Sequence, residues 1–150
     1  MKNLLLIVVA SSFVAIAGGT LAQAQVVDTV AADIPFGFMV RGTTLPAGEY
    51  TIRRLASVNP SVMEIRSADG KERLIFLVES VQANKESDQT KLIFDRVGDR
   101  YFLSEIFEVG DRSGVELEKS RDERDLEKEG EIGLRPTVAI PARTGINASR

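Results

Sequence analysis

The 150-residue chain contains no cysteine, no histidine and no tryptophan. Without cysteine there is no disulfide scaffold, no thiolate nucleophile and no iron–sulfur ligation. Without histidine the commonest general base is gone, and imidazole zinc sites and histidine haem ligation go with it. An excess of positive charge is also missing. Nineteen Lys and Arg face 22 Asp and Glu, a net charge of −3, which argues against a nucleic-acid partner, because phosphate contacts need a basic surface. What remains is an ordinary globular composition, 43% apolar and 27% charged, of a length that fits one domain and calls for no cofactor.

The first 24 residues are unlike the rest. Lys2 supplies one positive charge, Leu4 to Ala17 carries none, and Ala22-Gln23-Ala24 has the small-x-small pattern of a cleavage site. Residues 1–24 therefore read as a secretory signal peptide cut between Ala24 and Gln25, the apolar run being short for a hydrocarbon core about 30 Å thick. The competing reading is an uncleaved N-terminal anchor, which would not need the Ala22-Gln23-Ala24 pattern. Cleavage would leave residues 25–150 with 18 basic and 22 acidic side chains, a net charge of −4, in the periplasm or outside the cell and with no membrane span. Missing cysteine does not oppose export, since oxidising compartments permit disulfides without requiring them.

Past the leader the pattern is that of strands and turns. Ile34, Phe36, Phe38 and Val40 alternate with Asp33, Pro35, Gly37 and Met39, and Pro35 marks an edge or a break. A Gly- and Pro-bearing loop leads into Glu49 to Leu55, in which Tyr50 and Ile52 share a face. Ser61 to Ser67 is a further strand, and Asp69-Gly70 suggests a type I′ hairpin. Arg73 to Val81, apolar on both faces around Leu74-Ile75-Phe76-Leu77-Val78, should be a central strand. Lys91 to Val97 and Tyr101 to Val109 follow, and the Val-Gly-Asp-Arg segments at 97–100 and 109–112 are strand-ending turns.

The character changes near Val115. Ser120 and Glu123 fit a capping box, and Gly130 would end the helix. With Leu126 as the one apolar residue between them, the helix should be exposed, lightly docked or ordered by a partner. Residues 131–150 read as a mobile tail or a terminal strand segment. The organisation expected is a signal peptide at 1–24, a β-domain at 25–117, a charged helix at 118–130 and a tail at 131–150. Six or seven strands with one late helix indicate an all-β, antiparallel β-sandwich, Ig-like or jelly-roll-like, or an open barrel with one short C-terminal helix. A Rossmann-like fold would need helices between the strands, and no gap is long enough to hold one.

Asp33-Ile34-Pro35-Phe36-Gly37-Phe38, Leu45-Pro46-Ala47-Gly48-Glu49-Tyr50, Gly98-Asp99-Arg100-Tyr101-Phe102-Leu103 and Ser120-Arg121-Asp122-Glu123-Arg124 together resemble a group of small exported bacterial proteins of unknown function. The resemblance covers most of the chain after the leader. It implies a signal-bearing all-β domain and carries over no substrate, cofactor or catalytic residue, so these motifs are expected to preserve a fold and not a site.

Three constellations bear on chemistry. Asp95, Glu79 and Glu105 sit in otherwise apolar strands, and Asp95 with Glu105 is the pair a carboxylate hydrolase of an extracytoplasmic polymer would use. Strict alternation puts Glu105 with Tyr101, Leu103, Phe107 and Val109, and Asp95 with Ile93 and Val97. The structural alternative pairs each acid with an arginine among Arg53, Arg54, Arg66, Arg73, Arg96 and Arg100. Asp99 and Asp111 sit in glycine-containing turns that could serve calcium, but each loop offers one carboxylate where calcium takes six to eight oxygens. Two Tyr and no Trp make an aromatic platform for sugars hard to assemble. The late helix, through Arg121, Glu123, Arg124 and Leu126, is the element expected to face a partner. The resulting expectation is a non-enzymatic binding or structural domain whose partner is an envelope or extracellular protein or glycan. The alternatives are the hydrolase and a carrier of a small apolar ligand. An enzyme would gather two acids in a cleft, a carrier would enclose an apolar cavity, and an interaction module would expose a patch or edge.

Overall fold

The structure is a computed structural model and describes residues 28–55, 59–129 and 136–146. The leader with its expected cut at Ala24 and Gln25, and the expected helix stop at Gly130, lie outside them. Eleven strands and one helix follow in order: β1 (Asp28–Ile34), β2 (Phe38–Val40), β3 (Thr43–Leu45), β4 (Gly48–Arg54), β5 (Val62–Ser67), β6 (Arg73–Gln82), β7 (Lys91–Val97), β8 (Arg100–Phe107), β9 (Ser113–Leu117), α1 (Arg121–Glu129), β10 (Thr137–Pro141) and β11 (Arg143–Ile146). The fold is all-β with one short helix. Its strands pair antiparallel except for one parallel bridge, Met39 of β2 to Phe102 of β8.

The hydrogen-bonded path runs β10-β7-β8-β9-β6-β5-β4-β1-β11 and does not close into a barrel. It bends into two layers at β6, whose first half pairs with β5 (Arg66 opposite Arg73, Val62 opposite Leu77) and whose second half pairs with β9 (Val78 opposite Leu117, Gln82 opposite Ser113). At the far end the chain crosses between the layers again. β10 lies beside β7, and after Ala142 β11 lies beside β1. Residues 137–146 thus take the strand form, the second of the two expected for the tail.

Between the layers alternate side chains from both meet: Val30, Ile34, Tyr50, Ile52, Met63 and Ile65 from one, Leu92, Phe94, Leu103, Ile106, Val115 and Leu117 from the other. This is the period-2 burial of strands buried on one face. The motifs that carried the resemblance converge here. Phe36 stacks on Tyr101 at 4.0 Å and meets Phe94 edge-on at 5.3 Å, and Phe38 meets both Phe94 and Tyr50 edge-on. The Tyr50 hydroxyl donates to the Pro46 carbonyl at 2.8 Å, so the Leu-Pro-Ala-Gly-Glu-Tyr segment is a corner whose buried phenol satisfies its own turn.

Four local expectations change. The alternating run to Val40 is interrupted at Pro35, leaving β1 and a separate β2 whose three residues are all buried. At the β5–β6 connection only Gly70 has positive φ (73°), whereas a type I′ turn needs two such residues. The loop runs instead from Ser67 to Glu72, with the Asp69 carboxylate accepting from the Ser67 hydroxyl and the Lys71 N–H. The tight two-residue hairpin is Gly98-Asp99, with Val97 opposite Arg100 and positive φ at Gly98 alone. β6 is central in the path, yet only one of its apolar faces is covered: Ile75 is 52% and Leu77 58% exposed.

The fourth change bears on the acids. Ile93 lies opposite Glu105 while Phe94 lies opposite Leu103, so Ser104 is an extra residue in β8. Such a bulge reverses the alternation beyond it. Leu103 and Ile106, three apart, both face the core, and Glu105 and Phe107 turn outward instead of sharing the face of Tyr101 and Leu103.

Candidate functional site

The bulge brings Asp95 and Glu105 to one outer face. The Ser104 hydroxyl donates between them, to the Ile93 carbonyl and to Asp95 Oδ1, each at 3.3 Å. Burial raises the Glu105 pKa, and the negative charges of Glu116 and Asp95 raise it further. The pair therefore shares an electrostatic environment. It sits on the outer side of the sheet, however, and neither residue lines the cleft described below.

Register extends this face. Glu79 of β6 lies opposite Glu116 of β9, which on its other side lies opposite Glu105 of β8. Three glutamates in a row across three strands are like charges directly opposed, an arrangement that costs stability. The expected arginine partners are not there: among the described residues none of these three glutamates has an ion pair.

The arginines serve a different acid, one that sequence reasoning missed. Glu64 of β5 points to the outer side of the other layer, where Arg53 of β4 and Ile75 of β6 are its cross-strand neighbours. Arg53 Nε donates to Glu64 Oε2 at 2.5 Å and Arg73 Nε donates to Oε1. Lying under both side chains, Glu64 is only 2% exposed. Burial alone would raise its pKa, but the two guanidiniums outweigh that and hold the carboxyl below its ordinary value. Its alternation with Met63 and Ile65 was visible; its partners depended on a register that no local signal sets.

This outer face also carries exposed Arg66, opposite Arg73, exposed Arg143 beyond Ala31, and the aliphatic pair Ile75 and Leu77, with Val62 opposite Leu77. Arg53, Arg66 and Arg73 around Glu64 leave a local surplus of positive charge beside exposed hydrocarbon, and toward the β11 edge the same face carries Asp33 opposite Glu49.

Helix α1 lies against β7 on the acidic side. Its capping box forms as expected: the Ser120 hydroxyl accepts from Glu123 N–H at 3.2 Å, and the Glu123 carboxylate accepts from the Ser120 backbone N–H. Of the four residues expected to face a partner, Arg121 and Arg124 are exposed and Leu126 is half-buried, while Glu123 turns inward and is 5% exposed. Its Oε1 has no hydrogen-bond partner. Burial pushes its pKa up to about 7, with Glu127 and Asp95 adding to the rise against the Ser120 N–H and Arg124.

The turn acids are scattered. Asp99 lies 3.9 Å from Arg96 and Asp111 is in the loop before β9. No group of three or more acidic side chains among the described residues is arranged to hold a metal. A cleft of about 400 Å³ opens beside β6, with Val30, Met63 and Val78 at its floor and Arg54, Glu108 and Asp111 among its polar lining. No helix among the described residues is long and apolar enough to cross a membrane. Comparison of the chain with protein-family models, with curated proteins and with solved structures gives no match.

Proposed function

We propose that the protein is an exported, non-enzymatic binding or structural domain of the cell envelope or extracellular space, and that it docks through the outer face of β5 and β6. The observation that carries this reading is the pair Ile75 and Leu77, side by side on that face and more than half exposed. Large aliphatic side chains clustered with Val62 and rimmed by Arg66 and Arg73 are what an interaction patch looks like, an apolar centre with a charged border. Covering the exposed half of each would contribute about 1 kcal/mol per side chain, half of the ~1.5–3 kcal/mol for burying one fully.

The cleft beside β6 supports a carrier less well, because Arg54, Glu108 and Asp111 put charge at the lining where an apolar ligand would pay for desolvating it. A hydrolase using Asp95 and Glu105 would have to work on the outer side of the sheet beside α1, away from the cleft by β6. The test is capture of an envelope or extracellular protein or glycan by immobilised protein, compared with a Leu77→Asp variant of unchanged circular dichroism. Loss of capture in the variant supports the docking face, and equal capture by both refutes it.

A further inference from the structure

The two outer faces of this molecule carry opposite charge. On one, Glu79, Glu116 and Glu105 stand in register across three strands, neighbouring strands being about 4.8 Å apart. On the other, Arg53, Arg66 and Arg73 lie around one carboxylate, Glu64, while Arg143 stands three strands away toward the edge that also carries Asp33 and Glu49. The glutamate row therefore presents three negative charges without ion pairs of its own, and Arg53, Arg66 and Arg73 around Glu64 present a local excess of two positive charges. Both arrangements cost the isolated molecule stability through like-charge contact, Glu79 against Glu116 against Glu105 and Arg66 against Arg73. Each cost is relieved by the other face.

We propose that the partner of the β5–β6 face is a second copy of this chain, which docks head to tail by laying its glutamate row on the arginines, with Ile75 and Leu77 of the first copy meeting hydrocarbon such as Ile93 beside Glu105 of the second. The proposal rests on the docking face argued above and names what covers it. Because the two patches differ, the contact is heterologous. Each added copy leaves one arginine face and one glutamate row free, so assembly proceeds to open chains unless the rotation between copies closes a ring. Its attraction depends on charge at exposed positions and weakens as salt shortens the screening length from about 30 Å at 0.01 M to about 3 Å at 1 M.

The test is sedimentation velocity and light scattering of the purified protein from micromolar to millimolar concentration at those two salt levels, on three forms. The wild type is expected to grow in mass with concentration at low salt and to fall to one copy at high salt. Glu79→Lys with Glu116→Lys, which spoils only the acidic side, and Arg66→Glu with Arg143→Glu, which spoils only the basic side and leaves the Glu64 clamp intact, should each weaken association by roughly tenfold or more. The neutral variants Glu79→Gln with Glu116→Gln and Arg66→Gln with Arg143→Gln, mixed together, share one intact pair of faces and no complementary reversed pair, and should form dimers and nothing longer. The milder Glu116→Gln and Arg66→Gln serve if a doubly reversed variant fails to fold. A wild type that stays a single copy at millimolar concentration and low salt overturns the proposal, and so does a mixture that forms no dimer. The two readings fail separately. A single-copy wild type whose capture of envelope material is lost on Leu77→Asp removes the second copy as partner and keeps the docking face. A protein indifferent to Leu77→Asp in both assays removes both.

Discussion

Replacing Glu123 by Gln should make the protein more stable, and only above a particular pH. The Glu123 carboxyl is buried under α1, its Oε1 lacks a partner, and its pKa is pushed up to about 7 by burial and by Glu127 and Asp95. In an unfolded chain it returns to its ordinary 4.5. The folded state thus holds this proton more tightly than the unfolded state. The associated stability is fully present below about pH 4.5 and is lost as pH rises through about 7. At about 1.4 kcal/mol per pH unit the loss amounts to about 3 kcal/mol. Glutamine is neutral at every pH and can still accept from the Ser120 N–H, since Gln serves at that position of a capping box as Glu does. Urea unfolding followed by circular dichroism from pH 4.5 to 8.5 should give nearly equal free energies for the two forms at the acid end and a gap approaching 3 kcal/mol in favour of Glu123→Gln at the alkaline end. Glu105 and Glu127, also raised by burial, tilt both forms in the same direction. Glu64, held below its ordinary value by Arg53 and Arg73, acts at lower pH and in the opposite sense. The difference between wild type and variant isolates Glu123. Parallel curves across the whole range would show that the carboxyl is solvated or paired and would refute the reasoning.

Tyr50→Phe removes the hydroxyl that satisfies the Pro46 carbonyl while keeping the ring against Phe38; a loss of about 1 kcal/mol in urea unfolding is expected, and no loss would mean that the corner does not depend on that bond. Gly114→Ala puts a methyl 2.6 Å from the Phe107 ring and 2.7 Å from the Ile106 carbonyl; a loss of about 1–3 kcal/mol should show in the same assay, and a neutral result would mean that Phe107 does not lie over Gly114. Intact-mass analysis of protein recovered outside the cytoplasm should find Gln25 at the N-terminus, and a chain still carrying residues 1–24 would refute the cleavage site.

The sequence showed most clearly what depends on local chemistry. Strand periodicity, the Ser120–Glu123 capping box and the turns at Gly98 and Gly110 follow from residue types within a few positions of one another, and all are found. The bulge at Ser104 was not legible, because Tyr101 to Val109 alternates well on paper and only the packing of Leu103 and Ile106 into one core forces the extra residue. That single residue decides which face Glu105 occupies. Glu64 was missed for a related reason. Its burial comes from two arginine side chains on neighbouring strands, and cross-strand register is a tertiary property. Ile75 and Leu77 misled in the other direction, since a strand apolar on both faces reads as doubly buried whether or not anything covers the second face.

The pairing of β1 with β11 has a kinetic side. Asp28 lies opposite Ile146, so almost the whole described length of the chain separates these two strands, and contacts of such long sequence separation are slow to form. On a chain made from its N-terminus, β1 emerges before the other described strands, and β11, which covers its outer edge, after them. Until then one edge of the sheet stays open to pairing with other chains. The same delay keeps the nascent chain from completing its fold until β11 has been made.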